Sequence, residues 1–153
     1  MKFSITIAFT LLYFTFGYGQ TNLVPNSSFE IYTSCPWALG EIYKTPPWFQ
    51  ASNLAVSTDF FHFCSLSQAD VPYNICGYQN AKSGLGYAGL ITFGKTHPSF
   101  TFPRPYREYL EVKLIDSLRS GKQYCVEFYV SLSNDFNIIL SSTEYSIRYI
   151  DFD

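Results

Sequence analysis

Gln123-Tyr124-Cys125-Val126-Glu127-Phe128-Tyr129-Val130-Ser131-Leu132 sets Tyr124, Val126, Phe128, Val130 and Leu132 against Gln123, Cys125, Glu127, Tyr129 and Ser131. A period of two is the spacing of a strand, because successive side chains leave a pleated backbone on opposite sides. The stretch predicts a β-strand whose apolar set turns to a core and whose Gln123, Glu127 and Tyr129 form an outward or ligand-facing surface. Working outward, Gly86 to Phe93 reads as a strand covered on both faces, and Tyr145 to Ile150 as another with Tyr145, Ile147 and Tyr149 on one side. Tyr109 to Leu118 fits either period. The polar pair Asp116-Ser117 and the stop at Ser120-Gly121 favour a strand followed by a turn.

Turn formers separate these pieces at short intervals: Pro25-Asn26, Pro46-Pro47, Pro72-Tyr73-Asn74, Ser83-Gly84, Gly94, Pro103 with Pro105, and Ser133-Asn134-Asp135. Short strands punctuated in this way predict an all-β sandwich or jelly roll. The 153 residues make at most one domain, and 15 Phe, 13 Tyr and 2 Trp supply enough apolar surface to exclude a disordered chain. Lys+Arg of 10 against Asp+Glu of 12 leaves a net charge of −2, which argues against a nucleic-acid partner.

Residues 1–19 read as a signal peptide. Lys2 precedes an uncharged run from Phe3 to Phe16 that is too short to span a membrane, and Gly17-Tyr18-Gly19 places small residues before a cut at Gln20. The mature module is then 20–153, exported, with no membrane span after cleavage. Export permits disulfides, and Cys35, Cys64, Cys76 and Cys125 contain no C-x-x-C pair that would suggest zinc. Four cysteines allow three pairings. Cys35 with Cys64 is preferred because it ties a Pro-rich, strand-poor loop at both ends, worth about 3 kcal/mol on the chain-entropy model. Cys76 with Cys125 follows by elimination.

Chemistry is sparse. Asp59 and His62 stand three apart with Ser57 and Ser65 nearby, but no Gly-x-Ser-x-Gly elbow offers a nucleophile and an oxyanion donor. Asp59 reads as a loop carboxylate accepting backbone hydrogen bonds, and His97 as an exposed loop residue. The chain is expected to be no enzyme. Trp37, Tyr43 and Trp48 lie in the Pro-rich region, where aromatic rings either stack on sugars or pack into the core. Trp37 and Trp48, with Gln123, Glu127 and Tyr129, are the candidate ligand-binding residues.

Several segments resemble a known family. Asn22-Leu23-Val24-Pro25-Asn26-Ser27-Ser28-Phe29-Glu30 is similar to the opening of galactose-binding-like jelly rolls, including the carbohydrate-binding modules attached to xylanases. Ala81 to Gly89 looks like their small-residue turn into a central strand, and Leu118-Arg119-Ser120-Gly121-Lys122-Gln123-Tyr124 like their turn into a core strand. More closely, the order of Asn22 to Glu30, Cys35-Pro36, Pro47-Trp48, Thr58 to Phe61 with Cys64, Val71 to Asn74, Gly77 to Gly84 and Arg107-Glu108-Tyr109 resembles the N-terminal module of secreted and outer-membrane proteins of the Bacteroidota.

The resemblance implies a galactose-binding-like jelly-roll β-sandwich and carbohydrate recognition at the cell surface. The alternative it carries is a structural or assembly module of an outer-membrane or peptidoglycan-associated protein. It implies a glycan or cell-envelope component as partner, and a location at the outer membrane, at the cell surface or in the medium. It also implies a structural calcium to which Glu30 contributes. The family's jelly roll runs through further strands beyond the point corresponding to Asp153, so residues 20–153 are expected to be a partial module, a fragment or truncated product, or else to have the open sheet completed by a downstream domain or a partner chain.

Overall fold

The computed structural model describes residues 21–51, 58–93, 107–133 and 146–151. Residues 1–19, expected to be a signal peptide, Ser57, His97, Tyr145 and the turns at Gly94, Pro103-Pro105 and Asn134-Asp135 lie outside them. One 3-10 turn, Ile42–Lys44, precedes strands β1 (Phe49–Gln50), β2 (Asp59–His62), β3 (Tyr73–Asn74), β4 (Gly77–Tyr78), β5 (Gly86–Phe93), β6 (Leu110–Glu111), β7 (Tyr129–Leu132) and β8 (Ser146–Asp151). The fold is all-β. Among the described residues, no helix is long and apolar enough to cross a membrane.

The centre is a four-stranded antiparallel sheet in the order β2-β5-β8-β7. Its register aligns Phe60, Ala88, Ile150 and Val130 in one row and Asp59, Gly89, Tyr149 and Ser131 in the next. Adjacent rows belong to opposite faces. On the first face Phe60 and Ala88 pack with Phe29, Ile42 and Trp48, joined by Leu110 and Val112. On the second, Phe61 and Tyr87 pack with Ala69, Val71 and Cys76. Strand β5 is thus covered on both sides as its continuous apolar run predicts, and each buried ring contributes about 1.5–3 kcal/mol.

Two small ribbons flank this sheet. β1 pairs with β6, and because Trp48 and Leu110 belong to the first core this ribbon forms a partial second layer over β2 and β5. β3 pairs with β4 beside the second core. The Val71-Pro72 and Pro46-Pro47 peptides are cis. Gly89 shows why β5 needs small residues: a Cβ there would lie 2.5 Å from the Phe61 ring.

The deciding stretch behaves differently from its pattern. Only Tyr129–Leu132 joins the sheet, and its apolar set is exposed, from Val130 at 42% to Val126 at 78%. Alternation fixes which residues share a side, but burial needs a second layer, and the β1–β6 ribbon lies over the other end of the sheet. Tyr109 to Leu118 likewise shortens to the two residues of β6, whose ladder partners among the described residues are Phe49 and Gln50. Asp59 is no loop residue; it opens β2, where Asp59-Phe60-Phe61-His62 is buried on both faces.

Candidate functional site

The opening motif can be read atom by atom. Asn26, at φ 49°, uses its side-chain amide to donate to Ile31 O and Pro46 O and its carbonyl to accept from Ile31 N. Its backbone carbonyl accepts from Phe29 N and from Trp48 Nε1 at 2.8 Å. This knot turns the chain so that Phe29, itself left-handed at φ 60°, drops into the core against Trp48, ring centroids 5.1 Å apart. Trp48 is 3% exposed and therefore packs in the core, with its indole N–H satisfied there. It offers no face to a ligand.

Trp37 has the opposite fate. It is 64% exposed, and Tyr43, six residues on, is 66% exposed. Glu41 holds the loop between them: its carboxylate accepts from Trp37 N at 2.6 Å, from Ala38 N at 3.1 Å and from Tyr43 Oη at 3.4 Å, and pairs with Lys44 Nζ at 2.8 Å. Lys44 Nζ also donates to Cys35 O. Burial works against the Glu41 charge, yet Lys44 and the two backbone N–H groups outweigh it and lower its pKa. Two further ties fix the loop to the sheet. Cys35 and Cys64 form the expected disulfide, with Cα atoms 5.6 Å apart, and Gly40 N donates to Asp59 Oδ1 at 2.6 Å.

The outward set from the deciding strand is also placed. Gln123, Glu127 and Tyr129 are all exposed, and Tyr129 Oη donates to Glu127 Oε1 at 3.1 Å. Lys82 Nζ stands 4.3 Å over the Tyr129 ring, so that aromatic face is already occupied by a cation–π contact. Cys125 on this segment is an exposed free thiol, and Cys76 is a buried one. The expected pairing of Cys76 with Cys125 is therefore absent: Cys76 is buried in the cluster with Phe61 and Tyr87, whereas Cys125 is exposed. Burial, then the nearby Asp59 and Glu108 carboxylates, push the Cys76 thiol up to about 12.

Glu30 ends the opening motif in a close cradle. Its Oε1 accepts from Leu85 N at 2.6 Å and Gly86 N at 3.1 Å. Gly84, at φ 63°, has no room for a Cβ, which would overlap the same oxygen. The second oxygen faces His62 Nε2 at 3.8 Å. His62 is 2% exposed, lies beneath the Tyr32 ring, and accepts from Cys64 N through Nδ1 at 3.0 Å. Because Nδ1 acts as an acceptor, the imidazole proton belongs on Nε2. Neither nitrogen is then available as a base toward a substrate or as a lone pair toward a metal. Burial lowers the His62 pKa, and Glu30 counters this only in part.

Burial first, and Glu108 second, raise the Asp59 pKa well above the ordinary value. It anchors the Trp37 loop through Gly40. Asp59 accepts a backbone hydrogen bond as expected, but from within β2 and not from a loop; Glu41 and Asn26 were missed as positioning residues, and of these Glu41, between the exposed aromatics, had a local signal. Against known proteins, no family model, no curated protein and no solved structure matches this chain.

Proposed function

We propose that this chain is an exported, non-catalytic binding module of jelly-roll type that recognises carbohydrate through the Trp37–Tyr43 loop. The observation that carries the reading is the exposed Trp37 ring on a loop held by a disulfide, the Glu41 carboxylate and the Gly40–Asp59 bond. A loop whose backbone is already fixed in place loses little entropy when a sugar stacks on the aromatic ring it carries. The partial β1–β6 layer over the four-stranded sheet supports the sandwich, and the disulfide supports export.

Affinity electrophoresis of the full chain in polysaccharide-containing gels tests this. Retardation by at least one polysaccharide is expected in the wild type and should fall at least tenfold in Trp37→Ala, while Tyr129→Ala keeps it. Retention of binding by Trp37→Ala, with loss in Tyr129→Ala, would move the site to the Gln123-Glu127-Tyr129 face. The exposed apolar row from Tyr124 to Leu132 favours a second reading, a structural or assembly module of the cell envelope, in which that row meets another protein surface.

A further inference from the structure

We infer that the pocket formed by Leu85 N, Gly86 N and His62 Nε2 is a carboxylate receptor occupied by the chain's own Glu30, in place of the calcium site that the jelly-roll resemblance implies. Three observations point the same way. The two backbone N–H groups converge on Glu30 Oε1 at 2.6 and 3.1 Å, a donor pair suited to an anion. The third donor, His62 Nε2, is buried without a hydrogen-bond partner and faces Glu30 Oε2 at 3.8 Å. Its proton is fixed there because Nδ1 is engaged with Cys64 N. Gly84 leaves the space in which the carboxylate oxygen sits.

Calcium needs six to eight oxygen ligands, and here the nearest groups present hydrogens instead. Among the described residues no group of three His, Cys, Asp or Glu side chains is arranged to hold a metal ion. A cation approaching Glu30 Oε2 would also meet the His62 N–H dipole with its positive end forward. The carboxylate is instead a tethered ligand that fastens the opening segment to the start of β5. This differs in location and chemistry from the Trp37 loop and does not depend on it.

The test is chemical rescue, read by thermal unfolding of the full chain. Glu30→Ala removes the tethered carboxylate, and its Tm is expected to fall by about 5 °C or more. Acetate, at concentrations where chloride of equal ionic strength has no effect, should raise the Tm of Glu30→Ala saturably and that of the wild type far less. Calcium and EDTA should leave the wild-type Tm unchanged. A saturable rise of the wild-type Tm with calcium that Glu30→Ala abolishes would overturn the inference, as would a folded Glu30→Ala indifferent to acetate. If Glu30→Ala does not fold, Glu30→Gln decides. Its amide keeps one acceptor but turns N–H toward His62, so a lowered Tm insensitive to calcium supports the receptor, and a wild-type Tm refutes it.

Discussion

Asp59 shows how a single residue couples the proposed ligand loop to the sheet. Its Oδ1 accepts from Gly40 N, yet its carboxyl is buried next to Glu108, and both effects favour the protonated form. A carboxyl whose pKa is higher folded than unfolded contributes most below its unfolded value, near 3.8, and loses that contribution as pH rises toward the folded value. The slope is about 1.4 kcal/mol per pH unit while the unfolded chain is ionised and the folded chain is protonated. His62 works in the opposite sense, since its lowered pKa removes stability as pH falls below 6.5. The informative quantity is therefore a difference. Asp59→Asn keeps an acceptor for Gly40 N without titrating, so its Tm should rise relative to wild type as pH goes from 4 to 8. A constant gap across that range would show that Asp59 is ionised in the folded protein.

At the level of elements, β2 and β5 are the close pair. Gly89 faces Asp59 in the ladder, and a Cβ at Gly89 would press on the Phe61 ring. Gly89→Ala should destabilise by about 1–3 kcal/mol, read as a lower urea midpoint at unchanged slope. An unaltered midpoint would mean that Phe61 can swing aside. β5 was legible in the sequence because its apolar run is continuous and bounded by glycines. β2 was not, because Asp59 and His62 make half of its four residues polar, and the partner that lets Asp59 be buried, Gly40 N, comes from a loop distant in sequence. Pro36-Trp37 and Pro47-Trp48 are locally the same dipeptide. Partners distant in sequence, Asn26 O for the indole N–H and Phe29 for the ring, go with Trp48 being core while Trp37 is exposed. Of the strand read from Gln123 only Tyr129–Leu132 forms, and its exposure was not legible, since a period of two says nothing about what lies above each face.

On the scale of the whole molecule, cover is unequal across the sheet. β2 and β5 lie between two packed clusters, whereas β7 carries exposed Tyr129, Val130 and Leu132 at the end of the strand order. Opening free energy follows buried apolar contact and the solvent access of backbone hydrogen bonds, so stability should grade across the sheet. Native-state hydrogen exchange is expected to give the slowest amides at β5, whose Ala88 and Gly89 lie in ladders on both sides, with β7 exchanging at least tenfold faster. The gradient matters for function because the Trp37 loop is tied through Gly40 and Cys64 to the β2 side, the end expected to open last. Binding through Trp37 should then persist under mild denaturant in which β7 amides already exchange freely. Equal protection of β7 and β5 would mean that the apolar row is covered in solution, and would favour the assembly reading over a stand-alone sugar-binding module.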